Sequence, residues 1–100
     1  MRNSMDETHL RKPSVWGPQF WKTYDIIANT YPKHPTKSER RAVVKFFESQ
    51  KYLIPCATCA INYKSIIDRY PPEARSRQDL QKWLELLKQK VKKHTENNIK

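Results

Sequence analysis

The 100-residue chain has one glycine, Gly17. All-β folds spend glycine freely on tight turns, so this scarcity argues against a barrel or a sandwich. It also excludes the glycine-rich phosphate loops of dinucleotide-binding and Walker-type sites. Apolar residues are few, at 37%, and no run approaches the roughly 18 needed to span a membrane. The stretch from Met1 to Glu7 has no apolar core, so no secretory signal is expected and an intracellular location is the default expectation. Acidic residues are outnumbered ten to twenty, leaving a formal net charge of +10. Such a surplus suits an anionic partner (nucleic acid, a phosphate-bearing cofactor or an acidic protein) and equally a solvated surface. Histidine is sparse: His9, His34 and His94 lack metal-ligand spacing, and no second cysteine pair completes a zinc site.

Aromatics, proline and helical periodicity are what the chain does have. Residues 1–14 are polar and aperiodic and are read as a flexible tail, with residues 15–100 as one domain. A first helix is expected near Trp16-Gly17-Pro18, carrying Phe20, Trp21, Tyr24, Ile27, Ala28 and Tyr31 at helical spacing. Pro32 and Pro35 end it. Thr36 and Glu39 have the form of a capping box before a second helix, with Val43, Val44, Phe46 and Phe47 inward. Pro55 opens a third, with Cys56, Cys59, Ala60, Tyr63, Ile66, Ile67 and Tyr70 on one stripe, stopped by Pro71-Pro72. Ser76 is a plausible cap for a fourth, with Leu80, Trp83, Leu84, Leu87 and Val91 inward. The expectation is an all-α fold, a four- to five-helix antiparallel bundle.

Cys56 and Cys59 form one Cys-x-x-C, and three readings stand. A redox pair is one: the start of a helix favours the reactive thiolate, and one turn is a short enough span for an exchangeable disulfide. Two ligands of a zinc site are another, short of two partners. Two small buried residues at helical spacing are the third. A thioredoxin-like setting is absent, because no βαβ pattern surrounds the pair.

The order Trp16-Gly17-Pro18-x-x-Trp21, Tyr31-Pro32-x-x-Pro35-Thr36-x-x-Glu39, Pro55-Cys56-x-x-Cys59 and Ser76-Arg77-x-x-Leu80-x-x-Trp83 resembles the Erv/ALR sulfhydryl oxidases. With no second cysteine pair in a tail, it looks like the short forms of large DNA viruses. The resemblance implies a helical bundle, usually dimeric, that holds FAD without a Rossmann motif. It implies a catalytic pair, with Cys59 beside the flavin and Cys56 meeting the thiol of a protein substrate. Electrons would pass through FAD to oxygen. It also implies cofactor contacts at Trp16, Gly17, Trp21, Tyr24, Trp83 and Val91.

The chain departs from the family pattern at Asp25, where a histidine is usual, and at Lys88, Gln89 and Lys92, which stand in the usual His-Asn-x-Val-Asn. Lys88 and Lys92 are expected to offer the FAD diphosphate a point charge instead. An alternative is a flavin-free relative, a structural or assembly protein such as a virion component, acting through its basic face. Nucleic-acid binding ranks third, for want of a recognition motif. If the chain is viral, a virus particle or the host cytoplasm is the expected location.

Overall fold

A computed structural model describes the backbone of residues 6–99 and the side chains of residues 6–93. Five helices appear among the described residues: α1 (Glu7–Leu10), α2 (Pro13–Thr30), α3 (Lys37–Ser49), α4 (Ala57–Arg69) and α5 (Arg77–Ile99). A single 3₁₀ turn, Gln50–Tyr52, links α3 to α4. The architecture is the all-α bundle that the periodicity predicts.

Within residues 6–14, helix forms where a tail is expected. Asp6 caps α1 through Thr8 N–H, and the Glu7–Arg11 ion pair spans its only turn. The next helix starts at Pro13, before the Trp-Gly-Pro motif. Proline at a first helical position has no N–H to lose and has its φ already set, so Pro13 opens α2 and Pro18 falls inside it. Residues 1–5 of the expected tail, and Lys100, lie outside the described residues.

The other boundaries follow their local chemistry. Thr36 and Glu39 exchange both hydrogen bonds of the capping box at the start of α3. Ser76 Oγ accepts from Asp79 N–H at the start of α5. Each helix brings its apolar stripe to one core, in which Phe47, Ile67, Leu80 and Leu87 are fully buried. A run of edge-to-face rings crosses it from Trp16 through Phe20, Tyr24 and Phe47 to Trp83. Such contacts add to the area that each ring already buries.

α2 and α5 run antiparallel. Their polar margin is tied by Gln81 to Asn29 at 2.9 Å and by Lys88 to Asp25 at 2.6 Å. The residues at the two departures from the family pattern, Asp25 and Lys88, thus hold each other. Opposite charges at these positions make an interhelical rung where two like charges would repel. Among the described residues no helix is long and apolar enough to cross a membrane.

Candidate active site

Pro55 and Cys56 precede the first helical residue of α4. Cys56 is its N-cap, in extended conformation, and its Sγ accepts from Cys59 N–H at 3.4 Å. Spacing alone predicts Cys56 inside the first turn. Its place one residue earlier turns the sulfur onto the unpaired N–H groups that begin the helix. The Thr58 hydroxyl lies 3.4 Å from the same sulfur. Arg11 reaches across from the end of α1 to the Pro55 carbonyl at 3.3 Å and steadies the approach to the pair.

The two thiols ionise differently. Partial burial pushes Cys56 up, but hydrogen bonds from Cys59 and Thr58, through side chain and backbone, outweigh it, and the net shift is downward. Cys59 is pushed up to about 11, first by burial, then by its hydrogen bond to Cys56 and by repulsion from the Cys56 thiolate. The N-cap sulfur is therefore the more easily ionised of the two, and the inner sulfur the one that holds its proton.

Cys59 stands in the wall of a cavity of about 670 Å³, a volume within the range of small-molecule sites. α2 supplies Trp16, Gly17, Phe20, Trp21 and Tyr24. α4 supplies Thr58, Asn62 and Tyr63 beside Cys59, and Ile54 and Val91 complete much of the apolar surface. Both phenols are held from behind: Tyr24 donates to Gln50 Oε1 at 2.8 Å, and Tyr63 to the Phe47 carbonyl at 2.7 Å. Burial pushes both phenols well above their ordinary ionisation, so they stay neutral.

Gly17 marks the cavity a second time. A glycine inside a helix costs about 0.5–1 kcal/mol relative to alanine. A Cβ at Gly17 would meet no atom within 4 Å, so packing within this chain does not call for the glycine. Pro18 beside it leaves the Ser14 carbonyl without its usual i+4 donor, and both residues border the same cavity.

Of the residues read from sequence as cofactor contacts, Trp16, Gly17, Trp21, Tyr24 and Val91 gather here with Cys59. Trp83 does not. It is buried on the far side of the core, stacked edge-on to Phe47 at 4.9 Å, and its Nε1–H donates to the Tyr70 carbonyl. Lys88 is paired with Asp25, and Lys92 is exposed; neither lines the cavity. Phe20, Ile54, Thr58 and Asn62 line the cavity as well, beyond the residues that the sequence points to. Phe20 sits one turn from both Trp16 and Tyr24, and Asn62 three residues past Cys59, a spacing that gives the signal for both. Among the described residues no group of three or more His, Cys, Asp or Glu side chains is placed to hold a metal ion.

Residues 18–100 match the model of the Erv1 / Alr family. The chain is 35% identical over 74 residues to a protein of Acanthamoeba polyphaga mimivirus named "Probable FAD-linked sulfhydryl oxidase R368", an alignment covering 71% of this chain and 52% of that protein. It is 28% identical over 64 residues to the FAD-linked sulfhydryl oxidase erv2 of Schizosaccharomyces pombe, covering 64% and 33% of the two. It is 27% identical over 68 residues to the mitochondrial FAD-linked sulfhydryl oxidase ERV1 of Saccharomyces cerevisiae, covering 68% and 36%. The chain thus spans about half the length of the viral relative and about a third of the yeast ones. No solved structure matches it.

Proposed function

Since the chain belongs to the Erv1 / Alr family, we propose that it is a flavin-linked thiol oxidase, which turns dithiols of protein substrates into disulfides through Cys56 and Cys59. The observation that carries this reading is the split between the two sulfurs. Cys59 borders the aromatic cavity, and Cys56, outside that lining, is the more easily ionised thiol at the helix start.

The residues present fit the ring system of a flavin. Trp21, Tyr24, Tyr63 and Val91 offer aromatic and apolar surface, Gly17 leaves space, and Cys59 stands in the wall. When bound, the flavin supplies the two-electron acceptor that returns the pair to its disulfide and hands the electrons to oxygen, giving peroxide. The rest is thiol exchange by this chain. With Cys56 and Cys59 joined as a disulfide, a substrate thiolate attacks Cys56 Sγ, a substrate–Cys56 disulfide forms, and the Cys59 sulfur leaves. The raised Cys59 takes up a proton. The second substrate thiolate then attacks the substrate sulfur of the mixed disulfide and expels Cys56, which the helix-start hydrogen bonds stabilise as thiolate. Two electrons have moved from the substrate dithiol to the pair.

Oxygen uptake by the flavin-loaded chain with dithiothreitol tests this. Turnover that stops in both Cys56→Ala and Cys59→Ala is expected. Uptake that persists in either variant overturns the reading. A second reading, a flavin-free assembly component, draws on the lack of any lysine, arginine or histidine among the described cavity-lining residues. A purified chain that takes up no flavin and consumes no oxygen would favour it.

A further inference from the structure

We propose that the exposed basic ridge of α3 is a docking surface for the substrate protein, and that it takes an acidic segment lying beside the cysteines to be oxidised. This rests on the thiol-oxidase reading given above and names its substrate class.

Lys37, Arg41 and Lys45 recur every fourth residue of α3, and all three are exposed. Each step along such a ridge is about 6 Å. Like charges at this spacing weaken a helix slightly, and the dipole disfavours a cation in the first turn, where Lys37 stands. Among the described residues none of the three has an ion pair. The two acids of α3 are engaged elsewhere: Glu39 closes the capping box, and Glu48 is held by Lys51. The ridge is therefore basic without internal compensation, which suits carboxylates carried by a partner.

The ridge also leads to the reactive sulfur. α3 runs into the Gln50–Tyr52 turn, and four residues later the chain reaches Cys56. Tyr52 and Leu53 on this path are 82% and 61% exposed. Asp68, the carboxylate that α4 brings to the turn, is held by both Lys51 and Lys64. The acids beside the path are thus neutralised and do not repel an acidic chain. A second copy presenting the same ridge does not suit it, because like charges would meet. A nucleic acid matches the charge but brings no thiol to Cys56.

Three Cys-x-x-Cys dithiol peptides, alike except for a glutamate, glutamine or lysine flank, are compared by oxygen uptake of the flavin-loaded chain at about 0.15 M salt. The glutamate peptide is expected to have a KM about tenfold below that of the glutamine peptide at equal kcat. The triple variant Lys37→Gln, Arg41→Gln, Lys45→Gln should lose that preference and oxidise dithiothreitol as before. The triple variant Lys22→Gln, Arg69→Gln, Lys82→Gln removes the same charge from exposed positions elsewhere and should keep the preference. Arg41→Gln alone should raise the KM of the glutamate peptide about two- to threefold. Equal KM values for the three peptides, a preference that survives the α3 variant, or one lost equally in both triple variants would overturn the proposal, while turnover of dithiothreitol would leave the oxidase reading standing. A DNA duplex bound through the ridge more tightly than the glutamate peptide at this salt would also overturn it and give the ridge to nucleic acid. No turnover with any dithiol would overturn both.

Discussion

Thr58→Ala is expected to raise the ionisation of the Cys56 thiol back toward its ordinary value, through loss of a single hydroxyl. The Thr58 Oγ1 lies 3.4 Å from Cys56 Sγ, and its hydrogen bond is one of those that hold the thiol below its ordinary value against partial burial. A hydrogen bond to a charged acceptor is worth about 1.5–3 kcal/mol when well formed. Sulfur is a weak acceptor and the site is half-exposed, so ~1 kcal/mol is the reasonable share. At about 1.4 kcal/mol per factor of ten, that is a thiolate fraction about fivefold smaller well below the transition. Removing the donor destabilises the thiolate, so the shift is upward. The assay is the thiolate ultraviolet absorbance against pH in a Cys59→Ala background, where one thiol titrates and the backbone N–H at residue 59 is kept. Alkylation well below the transition should slow by only about two- to threefold, because a more basic thiolate is also intrinsically more nucleophilic. Thr58→Ser should restore the original value. An unchanged or lowered ionisation in Thr58→Ala, with Thr58→Ser behaving alike, would refute the assignment of the hydroxyl as a donor to Cys56.

Other outcomes follow from the same geometry. In Cys56→Ala the Cys59 thiol should ionise below about 11, since the neighbouring thiolate is gone, yet above a free cysteine, since burial remains; pH-dependent alkylation measures it. Gly17→Ala should stabilise the flavin-free chain by about 0.5–1 kcal/mol in urea melts and weaken flavin binding by about tenfold. Tyr24→Phe leaves Gln50 Oε1 without its buried donor and should cost about 1–3 kcal/mol in the same melts, more than an exposed hydroxyl would.

Local chemistry was legible in the sequence. The capping box at Thr36 and Glu39, the Ser76 cap, the stop at Pro71-Pro72 and the four apolar stripes each depend on residues within one or two turns, and each stands where the spacing puts it. The start of α2 falls one turn before the Trp16-Gly17-Pro18 motif, because two prolines compete for the first turn and Pro13 takes it. The cavity was only half legible. Trp21, Tyr24 and Val91 are reached by periodicity and resemblance, but periodicity cannot say on which side of a packed ring the empty space lies. Trp83 shares the aromatic character of Trp21, yet it faces Phe47 and Tyr70 instead. The Asp25–Lys88 rung joins residues 63 positions apart, a distance no local pattern spans. The signal available was that both departures from the family pattern carry charge, and of opposite sign.

The most direct test of the central claim, that Cys59 delivers electrons into the cavity, is an anaerobic dithiol titration of the flavin-loaded chain followed by flavin absorbance. The account predicts bleaching at about one dithiol per bound flavin beyond that needed to open the Cys56–Cys59 disulfide, and no bleaching in Cys59→Ala, which retains its flavin. Bleaching of Cys59→Ala at the rate of the unaltered chain would contradict it.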